Sequence, residues 1–336
     1  MKVVDVHNHL YPPEWLDYLE ARTDSPIRVE RTGPTRWIIY YKGIPLGHMS
    51  RPGHFEPEPR IKDIDEYGID VQIMTLPAPG VEHLPASDGV EWAKRVNDRL
   101  AEICRKYKGR FYAGASLPYQ DVDAALKELE RAKKELDVRG IMMFSNINGR
   151  PIYAPEFLPI YEMAEAYELP VFVHPAPPVT TDAIREMHLP LPLFAFIMDT
   201  SMAVCGLIFH GVLEKFPRLK IIHAHLGGVF PYMVGRIDDC YKSYEKEFNY
   251  SIPEPPSVYY KRQVYVDAIS FHLPAMKCAL DYLGPERMVI GTDYAHPIGG
   301  PERVTGFVKA MGLPEADLEK ILWGNAAQLY KLDGAR

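Results

Sequence analysis

Short apolar runs recur along the chain and alternate with longer segments of helical periodicity. The runs are rich in Val, Ile and Met and have the length of buried parallel strands; they cover residues 3–6, 70–76, 111–117, 140–144, 170–173, 219–222, 264–267 and 288–292. Amphipathic segments predicted to be helices lie between them, at residues 90–107, 122–136, 154–167, 201–216, 231–244 and 273–283. Eight strands alternating with helices predict an α/β fold, a (β/α)₈ TIM barrel formed by one domain over residues 1–336.

An open, doubly wound sheet is the alternative to a barrel. It is disfavoured because no GxGxxG motif follows the first strand.

Two regions interrupt the alternation of strands and helices. Residues 24–59 contain the β-prone run 37–43, which predicts a small β-insertion and a lid over the barrel mouth. Residues 176–200 are rich in Pro, Thr and Leu and are predicted to form a long loop after strand five.

Possible metal ligands stand where four of the apolar runs end. His7 and His9 follow the first run, His174 follows the fifth, His223 and His225 follow the sixth, and Asp293 follows the eighth. In a (β/α)₈ barrel the C-terminal ends of the strands meet at one mouth, so these side chains should converge there. Three imidazoles and one carboxylate suit Zn²⁺, Mn²⁺ or Fe²⁺. We therefore expect one divalent metal ion, with Zn as the first choice and Mn or Fe as alternatives.

Other histidines lie near the same strand ends. His223 and His225 are two residues apart and are expected to share a face, with His225, nearer the strand exit, in the functional role and His223 in a structural one. His296 follows Asp293 at the rim and is a candidate for substrate contact. Strand four ends without a Lys or Glu that would bridge two metals, so the site is expected to be mononuclear.

Two arginines are candidates for binding a substrate carboxylate. Arg51 lies in the predicted lid, and Arg60 opens the helix that follows it. An Arg in such a position can hold a carboxylate through two parallel hydrogen bonds. Arg51 is preferred because an Arg at the start of a helix is more often an ordinary surface residue.

Composition narrows the classes of partner. The formal net charge is −7 without a basic block, which argues against nucleic acid as a partner. No apolar stretch is expected to be long enough to span a membrane, and the first strand begins too early for a signal peptide. The four cysteines are far apart, as in a reduced, cytoplasmic protein.

The chain resembles the metal-dependent decarboxylase branch of the amidohydrolase superfamily, the 2-amino-3-carboxymuconate-6-semialdehyde decarboxylase-like enzymes. The segments that carry the resemblance are DVHNHLYP, RIKDIDEYGIDVQIM, ASLPYQDVDAALKELERA, VFVHP, HGVLEKFPRLKIIHAHLGG, GRID, GTDYAHP and GNAAQLYKL. It implies a distorted (β/α)₈ barrel with a small β-insertion. It also implies metal ligation by His7, His9, His174 and Asp293, a non-ligand catalytic role for His225 and a carboxylate-binding role for Arg51. Residues 191–194 depart from the family pattern, which leaves the substrate open.

The main functional hypothesis is a non-oxidative decarboxylase of an aromatic or unsaturated carboxylic acid. A metal would polarise a substrate oxygen, and a proton would reach the carbon from Asp293 or with the help of His225. A hydrolase, lactonase or hydratase on the same scaffold is the first rival, and a non-catalytic metal-stabilised binding protein is the second. The expected partners are a small carboxylic acid and further copies of the chain, as a dimer or tetramer.

Overall fold

A parallel sheet of eight strands forms the centre of the molecule. The structure is a computed structural model that describes residues 1–248, 250 and 252–332. The strands of this sheet and of two smaller sheets are, in chain order, β1 (Val4–His9), β2 (Ile27–Gly33), β3 (Arg36–Tyr41), β4 (Ile44–Met49), β5 (Val71–Thr75), β6 (Phe111–Ala115), β7 (Gly140–Phe144), β8 (Asn146–Ile147), β9 (Arg150–Pro151), β10 (Val171–His174), β11 (Ile221–His223), β12 (Val264–Asp267) and β13 (Met288–Val289). The eight-stranded sheet has the order β1-β5-β6-β7-β10-β11-β12-β13. It closes where Val6 N donates to Ile290 O at 2.9 Å. The predicted (β/α)₈ barrel is confirmed.

Helices surround the barrel. They are α1 (Pro13–Glu20), α2 (Pro57–Glu66), α3 (Ala86–Lys106), α4 (Val122–Glu135), α5 (Leu158–Ala166), α6 (Thr181–Glu186), α7 (Leu191–Phe209), α8 (Val212–Lys215), α9 (Ala224–Gly227), α10 (Phe230–Phe248), α11 (Pro256–Gln263), α12 (Leu273–Leu283), α13 (Pro301–Ala310), α14 (Glu315–Glu319) and α15 (Asn325–Leu329). Apolar side chains between the strands and these helices form one buried cluster, which includes Ile73, Val171 and Ile222. All eight predicted strands and all six predicted helical segments overlap observed elements, although their ends differ.

The prediction of a loop at residues 176–200 is wrong. It contains α6 and the first half of α7, and α7 begins at Leu191 instead of near Ser201. Pro190 and Pro192 led to the loop prediction. Pro is tolerated at the first positions of a helix, where the N–H groups have no partner within the helix. The helix ends near His210 because Gly211 has φ 75°.

Helix α7 also overturns the expectation that no stretch is long enough to span a membrane. It has 19 residues with a mean hydropathy of 1.8, so it passes that test by length and composition. Half of this stretch is buried inside the molecule. Its Asp199 is buried and accepts a hydrogen bond from Asn146 Nδ2 at 2.8 Å. These contacts are typical of a core helix.

A separate antiparallel sheet of three strands, β2-β3-β4, lies between β1 and β5 in the sequence. Pro45, Leu46, Gly47 and His48 of β4 line the main cavity at the barrel mouth. The boundaries 24–59 and the lid function stay predictions. The single domain predicted over residues 1–336 also stays a prediction, and residues 333–336 lie outside the described residues.

Arg60 holds β1 and β5 together from a fully buried position. Its Nε donates to Gly53 O at 2.9 Å, and its Nη1 donates to Asn8 Oδ1 at 2.9 Å and Gln72 Oε1 at 3.0 Å. Its Nη2 donates to His9 O. Burial lowers the pKa of Arg60 to about 10, so the side chain stays charged at neutral pH. Four hydrogen bonds therefore compensate a buried cation and fix the end of β1.

We expect Arg60→Met to destabilise the protein strongly. Breaking a buried charged network leaves its partners without hydrogen bonds and costs roughly 3–5 kcal/mol. The free energy of unfolding, measured by urea denaturation, checks this. Arg51→Met is the matched control and should cost less than about 1 kcal/mol, because Arg51 is only half-buried. Equal, small losses in both variants would contradict the assigned role.

Candidate metal centre and substrate cavity

Three buried imidazoles meet at the C-terminal end of the barrel. His7 and His9 end β1, and His174 ends β10. The ring centroids of His7 and His9 lie 5.0 Å apart, those of His7 and His174 5.2 Å, and those of His9 and His174 4.9 Å. The ends of β1 and β10 bring these three residues together, although they are far apart in the sequence.

Asp293, in the segment that follows β13, lies beside these histidines. Its backbone N donates to His7 O at 2.9 Å, and its left-handed φ of 57° turns the chain there. One carboxylate oxygen lies 2.9 Å from His9 Nε2 and 3.7 Å from His7 Nε2. The four predicted ligands are therefore adjacent in space.

The protonation states of His9, His174 and Asp293 suit the binding of a cation. Burial lowers the pKa of His9 to about 3 and that of His174 well below its ordinary value, so both rings are neutral and offer lone pairs. Burial alone would raise the pKa of Asp293, but the hydrogen bond with His9 and the charge interaction with His7 outweigh it and hold this pKa well below its ordinary value.

Unpartnered nitrogen atoms also indicate a cation-binding site. His7 Nε2 and His9 Nδ1 are buried without a hydrogen-bond partner among the described residues. Buried polar atoms normally have a partner, because leaving one unmatched costs about 1–3 kcal/mol. One potential ligand atom from each of His7, His9 and His174 lies within 4.8 Å of the others. The donor set therefore fits one divalent metal ion.

Asp267, at the end of β12, organises the site from behind. Its Oδ2 lies 2.6 Å from His7 Nδ1 and accepts from His225 N at 3.0 Å, while its Oδ1 accepts from Leu226 N at 3.0 Å. Burial lowers the pKa of His7, but the hydrogen bond and charge of Asp267 outweigh this and raise it overall. This role was not predicted from the sequence, although Asp267 stands at the end of an apolar run as Asp293 does.

His225 reaches the site through an unusual backbone. It has φ 54° and Leu226 has φ 58°, both left-handed and both held by the Asp267 carboxylate. His225 Nε2 lies 4.0 Å from Asp293 Oδ2, and its side chain is 14% exposed. Burial lowers the pKa of His225 below its ordinary value, so the ring is neutral near pH 7.

The expectation that His223 and His225 share a face is wrong. β11 ends at His223, so the alternation of a strand does not continue to His225. His223 is fully buried, and its Nδ1 lies 3.0 Å from Tyr260 Oη. Burial lowers the pKa of His223 to about 3. These contacts agree with the structural role predicted for it.

A cavity of about 530 Å³ opens above the cluster. This is within the range of about 300–1,000 Å³ that is typical of small-molecule sites. His174, His225, Asp293 and His296 line it, so the predicted substrate contact of His296 is placed at the cavity wall. His48 lines it as well, although no sequence pattern singled it out.

Neither candidate arginine lines this cavity. Arg60 is buried in the network with Asn8 and Gln72, and its guanidinium is occupied there. Arg51 precedes a short 3₁₀ turn, Pro52–His54, and is not among the lining residues. The structure therefore does not bring Arg51 to the other predicted site residues, and its role in carboxylate binding stays a prediction.

Comparison with known proteins places the chain in a family. The model of the amidohydrolase family matches residues 4–332. The chain belongs to the amidohydrolase family. The matched residues include every barrel strand and all four predicted metal ligands.

Several relatives of this chain are decarboxylases by name. A 2-amino-3-carboxymuconate-6-semialdehyde decarboxylase of Dictyostelium discoideum is 29% identical over 98% of this chain and 92% of its own length. A gamma-resorcylate decarboxylase of Polaromonas sp. is 33% identical over 82% of this chain and 87% of its own length. A solved dihydroxybenzoic acid decarboxylase of Polaromonas sp., with bound manganese and the inhibitor 2-nitroresorcinol, is 28% identical, has a TM-score of 0.83 and covers 99% of this chain and 98% of its own.

Replacing Asp267 should weaken metal binding. Partners that orient a ligating histidine typically contribute 10–100-fold to metal affinity, so Asp267→Asn should raise the metal dissociation constant by roughly that factor. Competition between the apoprotein and a coloured chelator measures it. Asp238→Asn is the control, since Asp238 bonds Ser257 away from the cluster, and it should bind metal normally. An unchanged affinity in Asp267→Asn would refute the orienting role.

Proposed function

We propose that this protein is a metal-dependent, non-oxidative decarboxylase of an aromatic or unsaturated carboxylic acid. The observation that carries the proposal is a cluster of three buried imidazoles with the Asp293 carboxylate beside it; His174 and Asp293 of this group line a cavity with apolar walls. The names of the relatives in the preceding comparisons support it. In the reaction the bond between the ring carbon and the carboxylate breaks, its electron pair stays on carbon, and one proton replaces the CO₂ that leaves.

We propose that His7, His9, His174 and Asp293 hold a single divalent ion. When bound, such an ion would polarise a substrate oxygen and draw off the negative charge that decarboxylation leaves on the conjugated system. We propose Zn²⁺, because a histidine-rich set with one carboxylate suits it. Mn²⁺ is the alternative that the manganese-containing Polaromonas relative supports.

The side chains of the protein would hold and transfer the proton that replaces CO₂. His225 is neutral because burial lowers its pKa, and its Nε2 faces Asp293 Oδ2 at 4.0 Å. A neutral imidazole beside an ionised carboxylate can hold a proton and pass it on. Asp267 fixes the backbone of His225, so the ring keeps this position without a rearrangement. His225 and Asp293 are the proposed catalytic pair.

The proposal includes a homo-oligomer in the cytoplasm. Phe194, Met198 and Met202 stand four residues apart on α7 and are 51%, 41% and 44% exposed. An exposed apolar stripe of this kind is typical of an interface, and most oligomers are assemblies of identical chains. The four cysteines are all free, which supports a reducing compartment.

His225→Ala should keep the metal and lose most of the turnover. A general acid–base group contributes about 10²–10⁴-fold, so kcat should fall by that factor. The assay follows CO₂ release by the metal-replete enzyme with a panel of hydroxybenzoic and unsaturated acids. Metal analysis of both proteins gives the control and should find one ion per chain.

His210→Ala is a matched variant, because His210 stacks on Tyr153 away from the cluster, and it should retain wild-type kcat. Normal turnover in metal-loaded His225→Ala would refute the role of His225. Ring opening or hydrolysis without CO₂ would refute the decarboxylase itself and favour a hydrolase on this scaffold.

The oligomer has its own test. We expect wild-type protein to be a dimer or tetramer by light scattering after size-exclusion chromatography. Met198→Glu places a charge in the α7 stripe and should shift the protein to a smaller species. Val258→Glu, on α11 and 38% exposed, should leave the mass unchanged. A monomeric wild-type protein would contradict the assembly.

A further inference from the structure

The upper walls of the cavity are apolar. They come from β4, from the N-terminal half of α7 and from the segments that follow β11, β12 and β13. The side chains that matter most are Leu46, Phe196, Ile197, Leu226, Phe271 and Ile298. Prolines, including Pro45 and Pro192, complete the walls and offer no side-chain donor to a ligand. The walls therefore differ sharply from the floor, where the polar groups are concentrated.

Positive side chains are missing from these walls. Among the described residues, none that lines the cavity is a Lys or an Arg. The guanidinium of Arg303 lies 4.2 Å over the ring of Phe271, but Arg303 is not a lining residue, and its Nε lies 3.6 Å from Glu302 Oε1. The ionisable groups that line the cavity are Tyr11, Asp293 and four histidines, and most of these lie around the cluster.

This distribution of charge selects among carboxylic acids. A first carboxylate can meet the cationic centre at the floor. A second one would lie against Leu226, Phe196 or Ile197 without a counter-charge, and an unpaired charge in apolar surroundings is strongly unfavourable. An alkyl group in the same place would instead gain from burial.

The size of the cavity leaves room for such a group. One water takes about 30 Å³ of liquid, so about ten non-hydrogen atoms of a hydroxybenzoate occupy at most roughly 300 Å³. The cavity of about 530 Å³ is larger than this. The remaining space adjoins the apolar walls, so a ring substituent can extend into it.

We propose that the preferred substrate is an aromatic monocarboxylic acid whose ring carries an apolar, alkyl-type substituent, and that acids with a second carboxylate are poor substrates. This inference rests on the proposed decarboxylase function and specifies the substrate class of the same site. It also explains why neither Arg51 nor Arg60 is needed at the cavity wall. The carboxylate that leaves is the only anionic group of the substrate that enters.

The first experiment compares hydroxybenzoic acids that differ in one ring substituent, which is hydrogen, methyl, ethyl or carboxylate. Each added carbon that becomes buried should raise kcat/KM about fourfold. The carboxylate analogue should react at least about 100-fold more slowly than the ethyl analogue. A wild-type preference for the dicarboxylic acid would overturn the inference. If Arg51→Ala then lost that preference, Arg51 would be the residue that binds the second carboxylate.

The second experiment changes the wall. Ile298 is 59% exposed at the rim, so it tolerates substitution without loss of the fold. Ile298→Arg should raise kcat/KM for the dicarboxylic acid by about tenfold or more and lower it for the ethyl analogue. Ile298→Met, of similar size and uncharged, should keep the wild-type order. An unchanged order in Ile298→Arg would contradict the role of wall charge.

A binding measurement tests the preference for an alkyl substituent separately from the decarboxylase function. Calorimetric titration of metal-loaded protein with ethylphenol and with phenol, the products left by the ethyl and hydrogen analogues, needs no turnover. Tighter binding of ethylphenol supports the inference even if no acid releases CO₂, in which case the decarboxylase function alone fails. Equal or tighter binding of phenol overturns the inference while leaving the decarboxylase function to its own assay.

Discussion

The buried carboxylate of Asp267 is the interaction on which the rest of the site depends. A single side chain orients the ring of His7 and, through two backbone N–H groups, fixes the left-handed turn that carries His225. The proposed ligand and the proposed catalytic histidine are therefore positioned by the same anion. One anion therefore positions both histidines relative to each other, and a ligating histidine depends on such a partner for its orientation.

A concentration of buried polar groups needs a rigid frame. Asp5 lies beneath the cluster, where burial raises its pKa to about 6, and it accepts hydrogen bonds from Gln72 Nε2 and Thr292 Oγ1 at 2.8 and 2.7 Å. Arg60 binds the carbonyl of His9. These contacts join β1, β5 and the segment after β13, where the barrel closes. The fold thus offsets the desolvation of its polar groups with hydrogen bonds from neighbouring strands.

The convergence of His7, His174 and Asp293 could be predicted from the sequence because strand ends are readable as apolar runs and parallel strands bring their ends together. The backbone of His225 could not, because a left-handed conformation at a non-glycine residue leaves no sequence signal. The loop predicted at residues 176–200 failed because prolines that begin a helix look like prolines that interrupt one. Which arginine is buried depends on tertiary contacts that sequence spacing does not report.

The central claim is that the cluster performs decarboxylation in which a solvent-derived proton replaces CO₂. The most direct test is to incubate metal-replete enzyme with an alkyl-substituted hydroxybenzoic acid in D₂O without oxygen and to analyse the products by NMR and mass spectrometry. The account predicts one CO₂ for each phenol formed and one deuterium at the carbon that lost the carboxylate. A requirement for oxygen, a new hydroxyl group at that carbon, or a product that retains its carboxylate would contradict it.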